Sequence, residues 1–68
     1  MKVFDVIVQG RWREELVAPE HEDALAVARK FYGLEASVIF NRRATPEQCA
    51  RATERDGYLW PSLQRVEN

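Results

Sequence analysis

KVFDVIVQGRWREELVA, residues 2–18, decides the fold. Lys2 to Gln9 is rich in Val, Ile and Phe and reads as a strand. Gly10 breaks it, and Arg13 to Ala18 resumes as a second strand, so the stretch predicts a β-hairpin. The apolar pattern chooses a register. A three-residue loop at Gly10-Arg11-Trp12 sets Val8 opposite Glu14, Val6 opposite Leu16 and Phe4 opposite Ala18. Phe4, Val6, Val8, Leu16 and Ala18 then share one face. A two-residue loop would set Glu15 opposite Val6 and Leu16 opposite Asp5. A one-residue slip turns a whole strand over, so the three-residue loop is the expectation.

Working outward, Pro19 to Tyr32 predicts a helix. Pro19 stands near its start, where a missing N–H costs nothing. Glu20, Glu22 and Asp23 suit the positive end of the helix dipole, and Arg29 and Lys30 suit the other end. Gly33 is a natural stop. Ala24, Ala28 and Phe31 recur at helical spacing. Glu35 to Asn41 predicts a third strand, with Val38 and Phe40 on one face and Ser37 and Ile39 on the other. Thr45-Pro46-Glu47-Gln48 has the spacing of a capping box, and predicts a helix running to about Arg55 and stopping at Asp56-Gly57. Tyr58 to Leu63 is expected to be extended or irregular, at best an edge strand because of Pro61.

These elements predict one small domain over residues 1–68, of α+β class. It is a two-layer ββαβα arrangement with a three- to four-stranded, mainly antiparallel sheet, its first strand in the middle and the main helix on one face. Sixty-eight residues bury only about 60% of the surface that the unfolded chain exposes, so the core contributes ~3–5 kcal/mol.

Composition narrows the function. The chain is 46% apolar and 31% charged, with a net charge of −1, an ordinary globular balance. Near-neutrality speaks against a general nucleic-acid coat, which is basic, and against an acidic mimic of DNA. The apolar runs at Val6-Ile7-Val8 and Val38-Ile39-Phe40 are strand-sized, far below the ~18 residues of a membrane span. Asp5 interrupts the opening run, so no signal peptide is expected. Cys49 is the only cysteine, which suits a reducing, cytoplasmic setting. One Cys and one His (His21) fall short of a zinc ligand set, and no metal or cofactor is expected. Arg outnumbers Lys by eight to two. That bias suits bidentate contacts, and GC-rich coding also produces it.

Little in the chain suggests catalysis. His21 lies beside Glu20 and Glu22 in a first helical turn, with no nucleophile forced near it. Cys49 near a helix start has no His or CxxC partner, and reads as a small apolar residue. Glu14, Glu15, Glu20, Glu22 and Asp23 match no calcium-loop pattern and read as a solvated, dipole-compensating group. The three glycines form no phosphate-cradling loop. An enzyme is not expected.

Two surfaces remain. Arg11-Trp12-Arg13 places a large aromatic between two arginines at a hairpin tip, and Trp and Arg are enriched in binding hot spots. Trp12 either meets a partner or folds back over the sheet edge. The second surface is the other sheet face, with Val3, Ile7, Val17 and Ile39 among Asp5, Gln9, Glu15 and Ser37. Either Cys49, Ala52, Tyr58, Leu59, Trp60 and Leu63 cover it, or it meets a partner or a second copy. Arg42 and Arg43 are expected at the opposite end of the sheet from the tip, roughly 25 Å away.

The sequence of hairpin, then EDALAVARKFYG at residues 22–33, then SVIF at residues 37–40, resembles the layout of small phage-encoded inhibitor proteins of the anti-CRISPR kind. The likeness covers about residues 2–41. It implies a non-enzymatic module that binds a host macromolecular complex. The opening MKVF is also similar to that of archaeal ribosomal protein LX, without the Lys-rich surface of that family. The expected function is protein binding through Arg11, Trp12, Arg13, Arg42 and Arg43. An RNA- or single-stranded-DNA-binding accessory using the same residues, and a structural homodimer, are the alternatives.

Overall fold

The computed structural model describes residues 1–61. The elements are β1 (Lys2–Val8), β2 (Arg11–Ala18), α1 (His21–Tyr32), β3 (Ala36–Arg43), α2 (Pro46–Arg51), β4 (Ala52–Arg55) and β5 (Tyr58–Pro61). The five strands form one antiparallel sheet in the order β3-β1-β2-β5-β4. The α+β class and the position of β1 between β2 and β3 agree with the sequence reading. The strand number and the element order do not: the chain runs ββαβαββ, and the sheet has two strands more than the hairpin and β3 supply.

The hairpin closes differently from the expected loop. Gln9 and Gly10 form a two-residue turn with φ of 53° and 78°, flanked by Val8 opposite Arg11. Two successive left-handed residues give the type I′ geometry that matches strand twist. Ile7 then pairs with Trp12 but Val6 pairs with Glu14, so Arg13 is an extra, bulged residue. The bulge restores the parity that a two-residue loop alone would break. Phe4 stands opposite Leu16 and Lys2 opposite Ala18. Each expected pair is displaced by two residues, while each residue keeps its face.

That face holds the core. Phe4, Val6, Leu16 and Ala18 of the hairpin pack with Ala24, Val27 and Ala28 of α1, Ala36 and Val38 of β3, and Trp60 of β5; Val8, Leu25, Tyr32 and Tyr58 line its margin. The alanines of α1 let it lie close to the sheet. Its start is tied by the Glu20 N–H donating to Asp23 Oδ2 at 3.2 Å, with Pro19 just outside. Its end is tied by the Gly33 N–H donating to Arg29 O at 2.8 Å, Gly33 having φ of 92°.

The capping box at Thr45 forms as its spacing predicts. Gln48 N–H donates to Thr45 Oγ1 and Thr45 N–H to Gln48 Oε1, both at 3.0 Å. The helix it starts is only six residues long. Ala52 turns extended (φ −78°, ψ 150°), and residues 52–61 make a second hairpin instead of continuing the helix. Asp56 and Gly57, with φ of 55° and 80°, form its turn. The β5 strand is interior rather than an edge, lying between β2 and β4, and Pro61 sits at its last position.

The expected lid over the second sheet face is therefore corrected. Tyr58 and Trp60 lie on the α1 side and extend the core. Leu59 stands opposite Val17 on the second face, where Val3 and Val17 are fully buried. The short α2, carrying half-buried Cys49, packs against β5 beside them. Leu63 lies outside the described residues.

Candidate partner-binding surface

The bulge at Arg13 separates the three tip residues. Arg11 stands opposite Val8 and Trp12 opposite Ile7, so they leave the sheet on opposite sides. The guanidinium carbon of Arg13 lies 5.6 Å from the Tyr32 ring centroid, over the α1 face. Trp12 goes the other way and folds back over the second face, where its Nε1–H donates to Asp5 Oδ1 at 3.1 Å. It is still 49% exposed. The tip does not present an arginine-flanked indole. It presents an indole on a sheet face.

Around Trp12 the second face is open. Ile7 pairs with it, and Ile39, opposite Asp5 on β3, is 57% exposed. Both carboxylate oxygens of Asp5 accept from Asn41 Nδ2 at 3.2 Å. Asn41 can reach because the β1–β3 register shifts between Val3 and Phe4, leaving it unopposed. Farther along, Arg42 donates from Nη1 and Nη2 to the two oxygens of Glu15 at 3.2 and 3.3 Å, a fork-to-fork ion pair. Arg42 is thus engaged within the chain. Arg43 is exposed opposite Lys2, six strand residues from Val8 and the tip, or about 20 Å. Arg42 and Arg43 lie at the end of the sheet away from the tip, as the strand order predicts; of the three tip residues only Trp12 belongs to the open apolar surface.

A second constellation is absent from the sequence reading. Arg55 stacks over Trp60, with its guanidinium carbon 3.8 Å from the ring centroid, and lies 4.6 Å from the Phe31 centroid. Phe31 and Trp60 meet edge to face at 5.3 Å. Arg55 Nη2 donates to Glu14 Oε2 at 2.7 Å, and the Tyr32 hydroxyl donates to the same oxygen. Trp60 Nε1–H donates to Arg55 O at 3.1 Å, and Lys30 pairs with Asp56 at 3.1 Å. Glu14 can take part because, opposite Val6, it faces α1. Burial pushes the Tyr32 phenol up, and the hydrogen bond and charge of Glu14 push it further, against Arg55 and Arg13. The group clasps the β4–β5 hairpin onto α1. Its members saturate one another, which suits structure rather than chemistry.

The remaining candidates are accounted for locally. His21 Nε2 lies 3.0 Å from Val38 O and its ring meets Phe4 edge to face at 5.9 Å. It borders a shallow groove of about 290 Å³ shared with Lys2, Phe4, Glu20 and Phe40. The acidic residues disperse: Glu15 goes to Arg42, Glu14 to Arg55, Glu20 to Lys2 at 3.0 Å, and Asp23 to the start of α1. Among the described residues, no three His, Cys, Asp or Glu side chains come together as metal ligands, and no helix is long and apolar enough to cross a membrane. Comparison with protein-family models, curated proteins and solved structures finds no match to this chain.

Proposed function

We propose that this chain is a non-enzymatic protein-binding module, and that the open part of the second sheet face, centred on Trp12 with Ile7 and Ile39, is its contact surface. The observation that supports this most is the state of Trp12. Its N–H is already bonded to Asp5 while the ring stays half exposed on the same sheet face as exposed Ile39. An indole held in this way is an anchor whose orientation is fixed before binding, which lowers the ordering cost of association. Aromatic anchors of this kind dominate interface energies. A host macromolecular complex, with this chain as its inhibitor, is the class of partner that the layout resemblance suggests.

The nucleic-acid alternative is less well supported. A phosphate chain tracking past Trp12 would meet the carboxylates of Asp5 and Glu15. Arg42 is neutralised by Glu15, and Arg13 lies over the other face. The two readings separate in a capture experiment with tagged chain and a lysate of the encoding organism, divided into nuclease-treated and untreated halves. Protein binding predicts the same captured protein in both halves, held between about 50 and 200 mM salt. Backbone-driven nucleic-acid binding falls by orders of magnitude over that range. Capture only from the untreated half, lost across that salt range, would overturn the proposal.

A further inference from the structure

The sheet has one long edge. β3 ends the strand order and spans eight residues without proline or lysine. Ile39 and Phe40 are exposed on it, and Leu34 just before it is 83% exposed. A free apolar edge is a template for another strand. Its outward groups follow from the ladder. The first hairpin closes at Val8 opposite Arg11, so Val8 bonds to β2, and strict alternation turns Ile7 and Asp5 toward β3. Their partners Ser37 and Ile39 bond inward, and Ala36, Val38 and Phe40 turn their N–H and C=O outward.

Two of those outward carbonyls are occupied by side chains of α1. His21 Nε2 lies 3.0 Å from Val38 O, and Arg29 Nε donates to Ala36 O at 3.2 Å. A carbonyl only accepts, so the first contact places a proton on Nε2. The outward N–H of Ala36 is used as well, by Gly33 O at 3.1 Å. Both side chains leave the top of the helix layer and reach the rim of the sheet.

We propose that His21 and Arg29 are blocking groups, which keep β3 from pairing with β3 of a second copy of this chain. The second copy is the occupant because the strand is complementary to itself. Antiparallel pairing about Ile39 sets Val38 opposite Phe40 of the other copy, both turned outward, and Ile39 opposite its own mate. It also sets Glu35 of one strand opposite the exposed Arg43 of the other. In that register each Val38 carbonyl accepts from the Phe40 N–H of the other copy, and this is the acceptor that His21 holds. The inference concerns the sheet edge and does not depend on the Trp12 surface.

The test uses the full chain with Cys49→Ala and Ile39→Cys, with and without His21→Phe and Arg29→Met. Facing side chains of a non-hydrogen-bonded pair are close enough for a disulfide. With His21 and Arg29 present, sedimentation gives a monomer and oxidation gives no cross-linked dimer. With both replaced, the dimer dissociation constant falls at least about tenfold, the symmetric disulfide forms, and exchange of the Phe40 amide slows by at least about the same factor. Three results would overturn the proposal: a folded, monomeric double variant; equal cross-linking when His21 and Arg29 are present; or a dimer that does not cross-link through position 39. If circular dichroism shows the double variant unfolded, His21→Phe alone, which keeps a ring against Phe4, is judged by the same three results.

Discussion

Trp12 and Arg13 are adjacent in the chain and belong to opposite faces of the sheet, because Arg13 is the extra residue of a bulge. Face assignment depends on parity, and parity survives the bulge, so the side on which each hairpin residue lies is legible in the alternation of apolar residues. The bulge itself is not, since a three-residue loop gives the same parity. Val6 and Ile7 test the faces directly. Val6 is fully buried, and Ile7 is half-buried on the other side. Val6→Asp places an unpaired carboxylate in the core at a cost of several kcal/mol, and is expected to abolish the cooperative melt seen by circular dichroism. Ile7→Asp is expected to retain it. Tyr32 makes a second prediction at this scale. Its phenol is raised above the ordinary value of about 10, first by burial and then by Glu14. The folded chain therefore holds this proton more tightly than the unfolded chain. The stabilising contribution is complete below about pH 10 and is lost as pH rises through the folded pKa. Denaturant melts at rising alkaline pH are expected to show a steeper loss of stability in the native chain than in Tyr32→Phe.

At the scale of elements, the two helix starts and the two hairpins were unequally legible. Thr45-Pro46-Glu47-Gln48 carries its own instructions, because the cap bonds are local and every partner lies within three residues. The second hairpin lacks such a mark. Asp-Gly after a run of Arg, Ala, Thr and Glu reads equally well as a helix stop and as a type I′ turn. Only the tertiary partners decide: Trp60 reaching the core, and Arg55 reaching Glu14 on β2. The clasp of Arg55 with Glu14, Phe31, Tyr32 and Trp60 was invisible for the same reason, since it needs a strand that local spacing does not announce. Phe31, at helical spacing from Ala24 and Ala28, lies at the flank of α1 against Trp60 and Arg55. Thr45→Ala tests the cap. Removing the Oγ1 acceptor costs about 1 kcal/mol, which lowers the melting temperature by about 4–8 °C in a domain of this size. The lower part of that range is expected, because α2 carries no fully buried residue. A thermal melt checks it.

On the scale of the whole molecule, the sheet separates two surfaces with different chemistry. The α1 face holds the core and the Arg55 clasp, with the shallow groove at His21 and exposed Phe40 at its β3 margin. The second face is buried at Val3 and Val17, crossed by the Glu15–Arg42 pair, and open from Asp5 to the hairpin tip. The candidate site was thus legible in part. A large aromatic next to a turn stands out in any sequence, so Trp12 is singled out there as a candidate. Residue type adds Arg11 and Arg13 at the tip, and Arg42 and Arg43 at the other end of the sheet, as further candidates. Bulge geometry takes Arg13 to the α1 face, and a cross-strand carboxylate engages Arg42 at the far end of the sheet; neither is written in local spacing.

The proposed contact surface requires Trp12 to be an anchor for a partner and not a part of the core. Thermal stability and affinity for the captured partner, both measured on Trp12→Ala, test this most directly. The predicted result is a melting temperature lowered only by the loss of the Asp5 hydrogen bond, about 1 kcal/mol, with affinity weakened by about 2 kcal/mol or more, roughly thirtyfold. A large loss of stability with unchanged affinity per folded molecule would contradict it.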